Sequence, residues 1–153
     1  SGTMGNQLAI AVHTRPGDEV IVGAGAHPVW YESGAGPALS GVQFATAGTD
    51  GPYTEAELVA LVRPAAYYYP RTSLVCIENT LNRAGGRVFP HDDAMAIAKR
   101  ARALGLRAHV DGARLWNASA ASGRSPAALC AGFDTASVCF SKGLGAPVGS
   151  ALV

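Results

Sequence analysis

Lysine is scarce in this chain of 153 residues: only Lys99 and Lys142 occur. Charged residues make up 15% and the formal net charge is +1, with no run of one sign. Nothing therefore suggests a nucleic-acid surface or an anionic membrane as partner. Apolar residues reach 48%, yet no uninterrupted stretch approaches the roughly 18–20 residues of a membrane helix. Cys76, Cys130 and Cys139 are odd in number and show no CxxC spacing. Cys76 and Cys139 sit in apolar strand-like runs and read as buried free thiols in a reducing compartment, and a cytoplasmic location is expected. His13, His91 and His109 have no metal-ligand spacing and read as structural or solvated.

What is present is glycine, 19 residues of it, punctuating short apolar runs. Runs at Glu19–Val22, Val42–Ala45, Leu74–Glu78, Leu106–Val110, Ser137–Phe140 and Gly149–Val153 read as strands. Helical patterns fall between them. Gly2–His13 is expected to bury Leu8, Ala9 and Val12. Thr54 with Glu57 forms a capping-box pattern for a helix to about Val62, and Asp92 or Asp93 starts another helix through Leu104, closed by Gly105. Alternation of strands and helices predicts an α/β fold, a three-layer α/β/α sandwich on a mostly parallel sheet. Arg63–Arg71 reads as a surface connection. The chain starts on Ser1 and stops at Val153 inside an apolar segment, so both ends are expected to be cut.

Ligands of open α/β sheets bind beyond the carboxyl ends of the strands. Glu78-Asn79, Asp111 and Ser141-Lys142 all fall at such ends. One dinucleotide-like stretch, Val20–Gly25, fails as a fingerprint because its third glycine would be Pro28, and position 48 is glycine where an acid is required. Lys142 follows an apolar run and precedes a glycine turn. It either caps a strand end or serves Schiff-base chemistry, which suits a lysine with a displaced pKa. Asp111, 31 residues upstream, either makes an Asx turn before Gly112 or holds a pyridine nitrogen protonated. An acid and a lysine at successive strand ends is the pairing that pyridoxal 5'-phosphate (PLP) uses. Ser1-Gly2-Thr3 opens a helix and is either an ordinary N-cap or a phosphate cradle.

Three stretches, Cys76–Pro90, His109–Asn117 and Phe140–Ser150, resemble the L-threonine aldolases of the β-eliminating lyase group. Ser1–Asn6 and Gly17–Glu32 fit in the same order, so the resemblance spans essentially the whole chain. It implies the large domain of a fold type I PLP enzyme, with an N-terminal segment and a C-terminal small domain outside residues 1–153. It also implies a homo-oligomer, a dimer or tetramer, and an amino-acid substrate. The reaction implied is retro-aldol cleavage of L-threonine or L-allo-threonine to glycine and acetaldehyde. Another PLP lyase or aldolase for bulkier β-hydroxy amino acids stays open, as does a non-catalytic PLP-binding fragment.

The resemblance also assigns roles. Lys142 would carry the cofactor and Asp111 would face its ring nitrogen. His27, otherwise a loop histidine, would stack on the ring and act as base. Gly2, Thr3 and Ser141 would hold the phosphate. Arg114, otherwise a surface arginine at a helix start, would bind the phenolic oxygen and the substrate carboxylate. Glu32 also matches the family pattern, without a clear role. Leu81 departs from that pattern: many threonine aldolases have a histidine there, thought to contact the substrate β-hydroxyl. Leucine has no polar group to offer: either His27 or a water is the base, or the substrate side chain is larger and more apolar, or the aldolase is a weak one, and position 81 is expected to face the substrate with apolar surface only.

Overall fold

The computed structural model describes residues 1–153. Its centre is a six-stranded sheet in the order β2-β1-β3-β4-β5-β6. The strands are β1 (Glu19–Gly23), β2 (Gln43–Ala47), β3 (Thr72–Glu78), β4 (Arg107–Gly112), β5 (Thr135–Cys139) and β6 (Ser150–Leu152). The first five run parallel, and β6 returns antiparallel against β5. All seven residues of β3 and all five of β1 are buried, as expected of strands covered on both faces.

The helices are α1 (Gly2–His13), α2 (His27–Trp30), α3 (Glu55–Leu61), α4 (His91–Ala103), α5 (Leu115–Ser122) and α6 (Pro126–Leu129). One face of the sheet packs on α3 and α4 through a core holding Leu58, Ile77, Ala94, Ile97 and Val110. Further along, Leu115, Ala118 and Leu129 cover Val138. On the opposite face, Ile10 of α1 packs with Val20, Val22 and Leu74. The result is three layers. Each fully buried leucine or isoleucine contributes on the order of 1.5–3 kcal/mol.

Several expected boundaries move. The capping box is present: Glu57 N donates to Thr54 Oγ1 and Thr54 N donates to Glu57 Oε2. Helix α4 starts earlier than expected, at His91, because Pro90 in extended backbone sets its first turn without a side-chain cap. Gly105 ends that region at φ +73°, a conformation favourable only to glycine. The larger correction concerns α1. Its buried face is Gly5, Asn6, Gln7, Ala9 and Ile10, whereas Leu8 and Val12 are 50% and 66% exposed. Two amides face inward because buried carboxylates need their N–H groups. Gly5 and Gly2 let α1 lie close on β5: an added Cβ would stand 3.2 Å from Ser137 Cβ and 2.8 Å from Cys139 Sγ, respectively.

No helix is long and apolar enough to cross a membrane. Cys76 and Cys139 are buried free thiols, and burial raises the Cys76 thiol far above its ordinary value. Tyr67 is almost wholly exposed, in keeping with a surface connection over Arg63–Arg71.

Candidate active site

Parallel pairing places Glu78 opposite Asp111 at the carboxyl ends of β3 and β4. Both acids are buried, and burial raises both carboxyls above their ordinary range. Each is partly compensated. Glu78 accepts the backbone N–H of His27 at 2.9 Å and that of Asn82 at 2.7 Å. It thereby ties the turn after β1 to the turn after β3. Asp111 accepts from Ala113 N at 3.1 Å and from Asn6 Nδ2 at 2.7 Å.

His27 opens α2, immediately after the β1 turn. Its Nδ1 lies 2.8 Å from Glu32 Oε1. Glu32 is 2% exposed and also accepts from Asn6 Nδ2 at 2.8 Å and Gln7 Nε2 at 2.6 Å. A carboxylate only accepts, so the His27 proton sits on Nδ1 and the neutral ring keeps Nε2 free as a base. The Glu32 hydrogen bond raises the His27 pKa, against the opposing effect of burial. One ring nitrogen and the carboxylates of Glu32 and Asp111 come within 4.8 Å of one another. Asp111 belongs to none of the ion pairs of the molecule. A buried acid without a bonded cation suits a protonated pyridine nitrogen, which would supply the missing charge.

The remaining expected residues lie around this centre. Ser1 caps α1 by accepting from Met4 N at 3.3 Å. Gly2 lies against Cys139, so the N-terminus of α1 stands beside the end of β5, which leads into Ser141 and Lys142. Gly2 is thus near the segment that carries Ser141, whereas Thr3 lines a groove with Leu39 and Ser40; the helix N–H groups at this end are able to meet a phosphate. Lys142 and Ser141 are exposed rather than buried. Arg114 precedes α5, partly exposed, and enters no ion pair.

Leu81 lies elsewhere than expected. It is 5% exposed and belongs to the main core cluster with Tyr53, Ile77 and Phe89. Its backbone pairs with Arg87, and its methyl groups pack beneath Gly51. The side chain points into the core rather than toward the rim.

Asn6, Gln7, His109 and Ser137 also belong to this centre, although no sequence motif marks them. The sequence carries one signal for them, polar residues inside apolar strand runs at His109 and Ser137; for Asn6 and Gln7 it carries none, since apolar periodicity points α1 the other way. A cleft of about 660 Å3 opens beside α2, lined in part by Gly25, Trp30, Asp50, Arg83 and Arg87. Within it the Arg83 guanidinium stacks 4.3 Å from the Trp30 ring and donates to Tyr31 Oη at 3.0 Å.

The chain is similar to known proteins along its whole length. Over 158 residues it is 40% identical to low-specificity L-threonine aldolase 1 of Arabidopsis thaliana, matching all of this chain and 44% of that protein. It is 44% identical to the aldolase vrtJ of Penicillium aethiopicum, matching all of this chain and 40% of that protein. Among solved structures, Leishmania major threonine aldolase superposes with a TM-score of 0.89 at 26% identity, covering 99% of this chain and 44% of that one. The chain therefore spans less than half the length of the relatives it matches. The fold is that of the fold type I PLP threonine aldolases. The β-eliminating lyase model matches residues 1–153, and the chain belongs to the β-eliminating lyase family.

Proposed function

We propose that the protein containing this chain is a PLP-dependent aldolase that cleaves L-threonine or L-allo-threonine to glycine and acetaldehyde. The observation that carries this reading is the His27–Glu32 pair beside Asp111: a base with its free nitrogen set by a buried carboxylate, next to an acid in need of a cation. When bound, the cofactor supplies an electron sink for the pair released from the Cα–Cβ bond. Asp111 would face its ring nitrogen, Lys142 would hold it covalently through the ε-amine, and the α1 N-terminus with Gly2, Thr3 and Ser141 would take its phosphate. Arg114 offers a planar donor set for a carboxylate.

His27 Nε2 removes the proton of the substrate β-hydroxyl. The oxygen lone pair forms the carbonyl of acetaldehyde as Cα–Cβ breaks. Proton return to Cα gives glycine. Glu32 stabilises the imidazolium formed in between, as an adjacent carboxylate does for a cation. Glu78 fixes the backbone that carries His27.

The test is glycine formation from L-threonine by the complete protein with and without added cofactor, alongside a visible absorbance scan. Cofactor-dependent glycine supports the reading. An absorbing cofactor complex that releases no glycine from either threonine isomer would refute the aldolase assignment while leaving the cofactor assignment standing.

A further inference from the structure

A polar chain runs away from the rim behind Asp111, and the proposed function makes no use of it. This inference rests on the reading that Asp111 serves the cofactor ring. Asn6 Oδ1 accepts from Ser137 Oγ at 2.7 Å and lies 3.3 Å from His109 Nε2. His109 Nδ1 lies 2.9 Å from Thr135 Oγ1, which lies 3.1 Å from His13 Nε2. Asn6, His109 and Ser137 are each no more than 2% exposed. The arrangement follows from the fold. His109 pairs with Thr135 and Asp111 with Ser137 across β4 and β5. Asn6 and His13, two helical turns apart on α1, lie over that stripe.

Proton counting gives the chain a direction. Asp111 and Glu32, as carboxylates, only accept, so both Asn6 Nδ2 hydrogens point at them. Asn6 Oδ1 accepts from Ser137 Oγ and also faces His109 Nε2, where a bare nitrogen would set lone pair against lone pair, so His109 Nε2 carries a hydrogen. A neutral imidazole has one N–H, so His109 Nδ1 accepts the Thr135 hydroxyl hydrogen, and Thr135 Oγ1 accepts from His13 Nε2. Burial, the largest effect, lowers the His109 pKa to about 4 against a smaller raising effect of the Thr135 backbone, which keeps the ring neutral.

We propose that His109, as the Nε2–H tautomer, is a positioning residue that locks the Asn6 amide in the orientation presenting both N–H groups to Asp111 and Glu32. The opposite tautomer would make Nε2 an acceptor. Asn6 would then turn its nitrogen to His109 and its oxygen to the two carboxylates, one of which would have to take up a proton. The tautomer of a histidine behind the site thus sets the charge of the acid that faces the cofactor. The other charged groups around the chain are His27 and Glu78 at the rim end and Asp134 and Arg107 near His13.

The test uses the complete protein with 15N-labelled histidine and 13C-labelled aspartate carboxyls, first without cofactor and then loaded. The expected result is a neutral Nε2–H signal for His109 from about pH 5 to pH 8. In His109→Phe, which fills the space without a donor, the Asp111 carboxyl midpoint should rise by about one pH unit. The pH response of the bound cofactor's visible band should move with it. In His109→Gln, whose amide places a donor near the same point, most of the wild-type behaviour should return. An Nδ1–H signal, a charged His109 in that range, or an unmoved Asp111 midpoint in His109→Phe would overturn the proposal. Should His109→Phe not fold, the wild-type tautomer and His109→Gln decide it. Failure to retain cofactor would count against the proposed function, while the cofactor-free signals still decide the positioning role of His109.

Discussion

Glu32 Oε1 accepts the Nδ1 proton of His27 at 2.8 Å, from a position 2% exposed to solvent. The acid is five residues downstream in sequence, past the short helix α2, and is held in place by Asn6 and Gln7 of α1. The pair gives a pH dependence with a definite sign. His27 acts as a base only when neutral, and its pKa lies above the ordinary 6.5 because Glu32 favours the charged ring. Activity should fall as pH drops through that raised value. Glu32→Gln removes the charge and should move the acid limb of kcat/KM down by roughly one pH unit while lowering the plateau. A pH–rate profile checks this; an unmoved limb would assign the base elsewhere.

Lys142 should be the covalent attachment point. Borohydride reduction of the cofactor-loaded protein, followed by peptide mapping, should place the modification on the peptide containing Lys142. Modification of Lys99, which sits on α4 between acids and arginines of the helix surface, would sink the assignment.

Asp111→Asn should keep bound cofactor but reduce turnover by at least two orders of magnitude, since an amide cannot hold a proton on a pyridine nitrogen. The visible band and kcat, measured on the same preparation, separate the two effects. Turnover near wild type would remove Asp111 from the proposed role.

Leu81→His should act on stability rather than on substrate choice. The imidazole would enter an apolar core without an evident partner, a cost of about 1–3 kcal/mol, on top of lost packing. Thermal unfolding should show a lowered midpoint, and the ratio of threonine to phenyl-bearing substrate turnover should stay unchanged. A large change in that ratio at unaltered stability would return Leu81 to the substrate.

The architecture is legible in the order of the residues alone. Buried apolar runs separated by glycine turns and amphipathic stretches admit few arrangements, and a parallel sheet covered on both faces satisfies their backbone and apolar groups together. That order also placed Glu78, Asp111 and Lys142 at strand ends, because side-chain position along a strand is a local property. Which of α1's faces turns inward was not local. Hydrophobicity favoured Leu8 and Val12, but Glu32 and Asp111 are buried acceptors, and Asn6 and Gln7 supply N–H groups that they would otherwise lack. Nor was the inward turn of Leu81 legible, since it depends on the pairing of its backbone with Arg87 and on the space left by Gly51. The polar chain behind Asp111 includes hydrogen bonds between residues 105 (Asn6 and Asp111) and 122 (His13 and Thr135) positions apart. Only the packing of α1 across β4 and β5 decided it, because hydrogen-bond partners are chosen by distance in space and not along the chain.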